Sequence, residues 1–123
     1  MKTQRNRYVA SAILLLFLWS CGHTIRPGAV DSVDSNAFNV LGTWQYSLDQ
    51  LKVDCPSGPT SPCPQGKKDA INRIGDAFNL ARQTWLTYRT AVKSGQTGDR
   101  QALSLAISRL ILAGDDYRRS FQQ

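Results

Sequence analysis

The 123 residues carry fifteen Lys and Arg against nine acids, a formal charge of +6, with 41% hydrophobic side chains and three cysteines. That length allows one domain, the hydrophobic share excludes a disordered tail, and three cysteines are too few for a disulfide-dense scaffold. Glutamate is absent, so every acid is an aspartate.

The chain opens as an export signal. Lys2, Arg5 and Arg7 precede an uncharged apolar run, Tyr8 to Trp19. As a helix this run would reach roughly 18 Å, short of the ~30 Å hydrocarbon core that a membrane span must cross. A basic head, a short apolar run and small residues behind it form the layout of a secretory signal peptide over residues 1–20. Leu18-Trp19-Ser20-Cys21 then resembles the lipobox of bacterial lipoprotein precursors: Leu three before the Cys, a small residue directly before it, and the Cys itself. The resemblance covers residues 1–21. It implies cleavage between Ser20 and Cys21 and acyl chains, palmitate among them, carried on a diacylglycerol thioether at the Cys21 sulfur. The domain then hangs from a cell-envelope membrane, outside the cytoplasm. Gly22 stands where the family places Asp for inner-membrane retention, which implies the outer membrane if the cell has one. The competing reading is free secretion after cleavage behind Gly22, because Ser20 and Gly22 meet the small-x-small requirement.

Three cysteines in an exported chain leave one over. With Cys21 taken by lipid, Cys55 and Cys63 remain as a pair. The seven residues between them include Pro56, Gly58, Pro59 and Pro62, a stretch that turns and does not form helix. An oxidising compartment lets the thiols join, and closing so short a loop contributes about 2–3 kcal/mol in the chain-entropy model. The spacing is not CxxC, and the single imidazole, His23, lies far off in sequence, so a metal or redox site is not expected. The leader also holds three basic residues and no acid. Beyond it the chain carries twelve basic and nine acidic side chains, a net +3. Half the apparent basicity belongs to the signal, and no nucleic-acid motif replaces it.

Residues 21–33 read as a lipidated N-terminus and linker, and residues 34–123 as an all-α domain. Asp34 is the first N-cap candidate, with Ser35 behind it. Three apolar stripes follow at alternating spacings of three and four: Ala37, Leu41, Trp44, Leu48, Leu51; then Ile71, Ile74, Phe78, Ala81, Trp85, Tyr88, Val92; then Leu103, Ile107, Leu110, Gly114, Tyr117, Phe121. Such stripes are the buried seams of packed helices, expected at about 35–54, 66–94 and 99–121. Ser94-Gly95 supplies a helix stop, and Thr97-Gly98-Asp99 a fresh start. Short connections make consecutive helices antiparallel, giving a small three-helix bundle.

Antiparallel registration stacks the stripes into layers, starting from the disulfide end. They are Leu51/Ile71/Phe121, Leu48/Ile74/Tyr117, Trp44/Phe78/Gly114, Leu41/Ala81/Leu110 and Ala37/Trp85/Ile107. Interiors pack near crystal density, so large faces small. Gly114 is therefore expected to make room for Trp44 or Phe78. Tyr88, Val92 and Leu103 outrun the first helix, and Ile25, Val30 or Val33 are expected to cover them. That end also gathers Arg26, Arg89, Lys93 and Arg100, candidate membrane-proximal charges whose alternative is ordinary solvated helix ends.

Chemistry is sparse. Asp69 is placed to reach Arg73, and Asp115 to reach Arg118 and Arg119, as surface ion pairs. The aromatic residues lie on core stripes, and no acid–base set, phosphate loop or metal cluster is evident. The sequence thus points to a non-enzymatic helical module, held to a membrane through its lipid and meeting another envelope protein. No cofactor, metal or nucleic acid is expected. The alternative is a binder of a small apolar molecule or lipid, held where Gly75 and Gly114 thin the packing.

Overall fold

The computed structural model describes residues 26–122. The signal, Ser20, Cys21 and His23 lie outside the described residues. Three helices follow one another, with no strand among the described residues: α1 (Ser32–Asp54), α2 (Gln65–Lys93) and α3 (Arg100–Phe121). The chain is an all-α three-helix bundle.

The start of α1 corrects the N-cap expectation. Asp31, with extended backbone at φ −163° and ψ −175°, is the cap, and its side chain accepts the Asp34 N–H at 2.8 Å. Asp34 sits one turn inside the helix and is fully buried. The expected start at 35 is late because its carboxylate is engaged across the bundle, leaving the cap to the aspartate three residues earlier.

The other ends follow local chemistry. At the α2 C-terminus, Gly95 takes φ +78°, and the N–H groups of Gly95 and Gln96 bond the carbonyls of Val92 and Ala91. That pair of bonds closes a helix whose next residue must turn left-handed. Asp99 caps α3, accepting the Ala102 N–H at 2.9 Å. Cys55 ends α1, buried in the core at 2% exposure.

The order is antiparallel throughout. The start of α1 meets the end of α2 at Asp34 and Trp85, and the start of α2 meets the end of α3 where Gly66 faces Phe121. Leu41, Leu48, Ile71, Ile74, Ala81, Leu110 and Tyr117 form the main core, with Trp44, Leu51, Phe78, Trp85 and Ile107 packed on it. Ala37, Tyr88 and Leu103 form a second, smaller core at the far end, covered by Val33 as expected. Phe121 departs from its expected place: it is 39% exposed and leans on the Tyr117 ring with centroids 5.4 Å apart. It is the last residue of α3 and has no further turn to cover it.

α2 is the central helix, packed most closely against both neighbours, and α1 meets α3 through side chains, with Ala37 and Leu103 sharing the smaller core. Trp44 spans the gap between α1 and α3. A Cβ on Gly114 would overlap its six-membered ring, 2.6 Å from Cζ3 and 2.9 Å from Cζ2 and nearer still to Cη2. The expected exchange of large for small is present, with Trp44 as the large partner. Gly98 repeats it unforeseen, since a Cβ there would run into the Tyr88 ring and meet the Val92 side chain. Gly75, by contrast, faces open space.

Candidate functional site

The densest polar chemistry among the described residues lies at the end where the N-terminal segment joins the bundle. Arg26 to Ala29 form a turn, closed by the Ala29 N–H on the Arg26 carbonyl at 3.0 Å. Pro27 presets one corner, and Gly28, at φ +82°, supplies the left-handed other. The turn lays residues 26–31 as a strap over α1 and α2, and the Arg26 N–H reaches the buried Ser35 hydroxyl at 3.0 Å.

Asp34 holds the strap. Its Oδ1 accepts the Trp85 indole N–H at 2.6 Å, and its Oδ2 accepts the Val30 N–H at 2.8 Å. Arg89 Nε lies 3.3 Å from Oδ2, close enough for an ion pair but misaligned for a hydrogen bond. One carboxylate thus ties together the strap, α1 and α2. A buried carboxylate is tolerated only when its lone pairs and charge are met in this way. Asp31 adds a second tie: beyond capping α1, it accepts the Tyr88 hydroxyl. Burial alone would raise the Asp31 carboxyl. The Tyr88 and Asp34 hydrogen bonds, the Arg100 charge and the Val33 N–H outweigh that and hold it below its ordinary value. Burial and the bond to Asp31 push the Tyr88 phenol up, against the pull of Arg100.

On the outer side, cations and rings alternate. The Arg26 guanidinium lies 3.9 Å from the Phe38 ring centroid, Phe38 stands 6.0 Å from Trp85, and Arg89 lies 5.3 Å from Trp85. Arg89 Nη2 also reaches the Gly28 carbonyl at 3.4 Å.

The four cations expected at this end are brought there, in unequal states. Arg26 is stacked, Arg89 is paired with Asp34, Arg100 opens α3 beside Asp31, and Lys93 is exposed in the last turn of α2. Trp85 and Tyr88 were expected as packing alone, and their hydrogen bonds to Asp34 and Asp31 went unforeseen. The available signal was two buried rings with polar tips, which need partners, one turn apart on α2 and matched by two aspartates one turn apart. The bonds of the cluster close on the fold itself.

At the opposite pole Cys55 and Cys63 stand at disulfide distance, Cα atoms 5.5 Å apart. Lys68 steadies the loop between them through a 2.9 Å bond to the Gly58 carbonyl. Two expected ion pairs differ in detail. Asp69 accepts from Gln65 at 2.9 Å in place of Arg73. Arg119 pairs with Asp116 at 3.4 Å, while Asp115 keeps Arg118 at 3.2 Å. Exposed pairs of this kind are weakly held, so neither difference weighs much on stability.

The open seam between α1 and α3 leaves a cleft of about 320 Å³ lined by Val33, Ala37, Val40, Leu103 and Ile107. Beyond Trp44 a second cleft of about 500 Å³ is lined by Leu51, Ile74, Tyr117 and polar neighbours. Among the described residues no group of three His, Cys, Asp or Glu could hold a metal ion, and no helix is long and apolar enough to cross a membrane.

Comparison with protein-family models, with curated proteins and with solved structures gives no match.

Proposed function

We propose that the chain is a cell-envelope lipoprotein: a helical module anchored through Cys21, without enzymatic activity, that meets another envelope protein. The observation that carries this reading is the meeting of Cys55 and Cys63, which leaves Cys21 as the odd thiol at the end of the lipobox-like run. Export supplies the oxidising surroundings in which that pair closes. The strap supports the same reading. Its four ties to α1 and α2 give the anchor a fixed root on the bundle.

Fractionation of cells expressing the parent chain and Cys21→Ser tests it. The parent is expected with the membranes and the variant released from them. Equal partitioning of the two refutes the anchor, and release of both supports free secretion.

The cleft along Val33, Ala37, Val40, Leu103 and Ile107 favours a second reading, a small apolar ligand held at the seam. The site foreseen for such a ligand at Gly114 is filled by Trp44, and Gly75 faces outward, so the ligand would lie between the starts of α1 and α3.

A further inference from the structure

Arg82, Leu86, Arg89 and Lys93 recur on α2 at spacings of four, three and four, so they share one face of that helix. Arg82 and Lys93 are exposed, Leu86 is 42% exposed, and the Arg89 side chain is 22% exposed. The face lies on the α1 side of α2, because Arg89 reaches the strap and the start of α1. Continued toward the α2 N-terminus, the same stripe runs through Asn79, Gly75 and Asn72 and carries no acid. Arg26 and the half-covered Phe38 ring extend it from the strap and α1. Among the described residues the one carboxylate that meets these cations, Asp34, is fully buried and pairs with Arg89 alone. Arg26, Arg82 and Lys93 therefore stand without a carboxylate partner among the described residues, beside an apolar pair, Leu86 and Phe38.

The position of this face relative to the anchor points to its occupant. Five residue steps separate Cys21 from Arg26, a span of at most about 18 Å when fully extended. The strap then fixes Arg26 against this face. Cations held so near a charged bilayer lie within a few screening lengths of its surface, and exposed aromatic and aliphatic side chains among them suit the headgroup layer. We infer that the face formed by Arg26, Phe38, Arg82, Leu86, Arg89 and Lys93 lies on the surface of an anionic phospholipid bilayer, which rests on the lipoprotein reading of Cys21.

Amine footprinting of the full lipidated chain in vesicles tests this. The chain is reconstituted in phosphatidylcholine with or without phosphatidylglycerol, labelled with an amine-reactive reagent, and read by mass spectrometry at Lys93 and at Lys52. Lys52 lies in the last turn of α1, at the far pole. Phosphatidylglycerol is expected to lower Lys93 labelling several-fold relative to Lys52, and Arg82→Gln is expected to restore part of it. A Lys93 to Lys52 ratio that is the same in both vesicles, in protein that co-sediments with them, overturns the inference. Failure to co-sediment at all overturns the anchor reading instead.

Discussion

Gly114→Ala measures whether the bundle is registered as described. The added methyl falls inside the Trp44 ring, so the indole must move off the seam. Two effects oppose each other. Replacing a mid-helix glycine by alanine stabilises an exposed helix by about 1 kcal/mol, while forcing a methyl into a filled contact costs about 1–3 kcal/mol. The expected net is a loss of up to about 2 kcal/mol, and Tm moves by roughly 4–8 °C per kcal/mol in a domain of this size. Gly42 and Gly75 provide the control, since both are helical and a Cβ there meets nothing within 4 Å. Gly42→Ala and Gly75→Ala should each raise Tm, by the propensity gain alone. The decisive comparison repeats Gly114→Ala in a Trp44→Ala background, where the ring is gone. There the substitution should stabilise, reversing its sign as coupled neighbours do. Thermal unfolding followed by circular dichroism reads all of these. A Gly114→Ala chain that gains as much as the two controls, in the presence of Trp44, would refute the packing.

Asp34→Asn turns one acceptor of a buried carboxylate into an NH2 facing the Val30 N–H and Arg89, and should lower stability by about 3 kcal/mol in urea unfolding; a loss below about 1 kcal/mol would deny Asp34 its role. For Asp31 the folded carboxyl is held below its ordinary 3.8, so its contribution is present above that value and is lost as pH falls through the folded pKa. Asp31→Asn should flatten the acid limb of the stability profile, and an unchanged limb would count against the link. For Tyr88 the sign is opposite: its phenol is raised above 10.0, so its contribution holds below that pH and is lost above it, and Tyr88→Phe should flatten the alkaline limb. Replacing Cys55 and Cys63 together by Ala should cost about 2–3 kcal/mol, and loss of the same size on reduction of the parent would locate it in the bond.

Periodicity was sufficient for the three helices because each stripe alternates threes and fours without interruption, and Gly95 and Asp99 mark a stop and a start that local chemistry alone dictates. Gly114 was readable because it falls on the apolar stripe of its helix, in register with two large rings, whereas Gly42 and Gly75 lie off the stripes and meet nothing. The clasp was not. Asp34 and Trp85 are 51 residues apart, and nothing local separates an aspartate that caps its own helix from one bonded across the bundle. The gap between α1 and α3 was hidden for a related reason: stripes specify which face is buried, but not how closely two outer helices approach across a central one. Of the four cations foreseen at the tether end, sequence order could place them together but could not show that Arg89 faces a buried carboxylate, or that Arg82 joins them along α2.

Intact mass of the protein extracted from membranes, taken before and after reduction, tests the central claim most directly. The account predicts a polypeptide that begins at Cys21 and carries the mass of a diacylglycerol and its acyl chains, gaining two hydrogens when Cys55 and Cys63 are reduced. A chain beginning at His23 without lipid would contradict it.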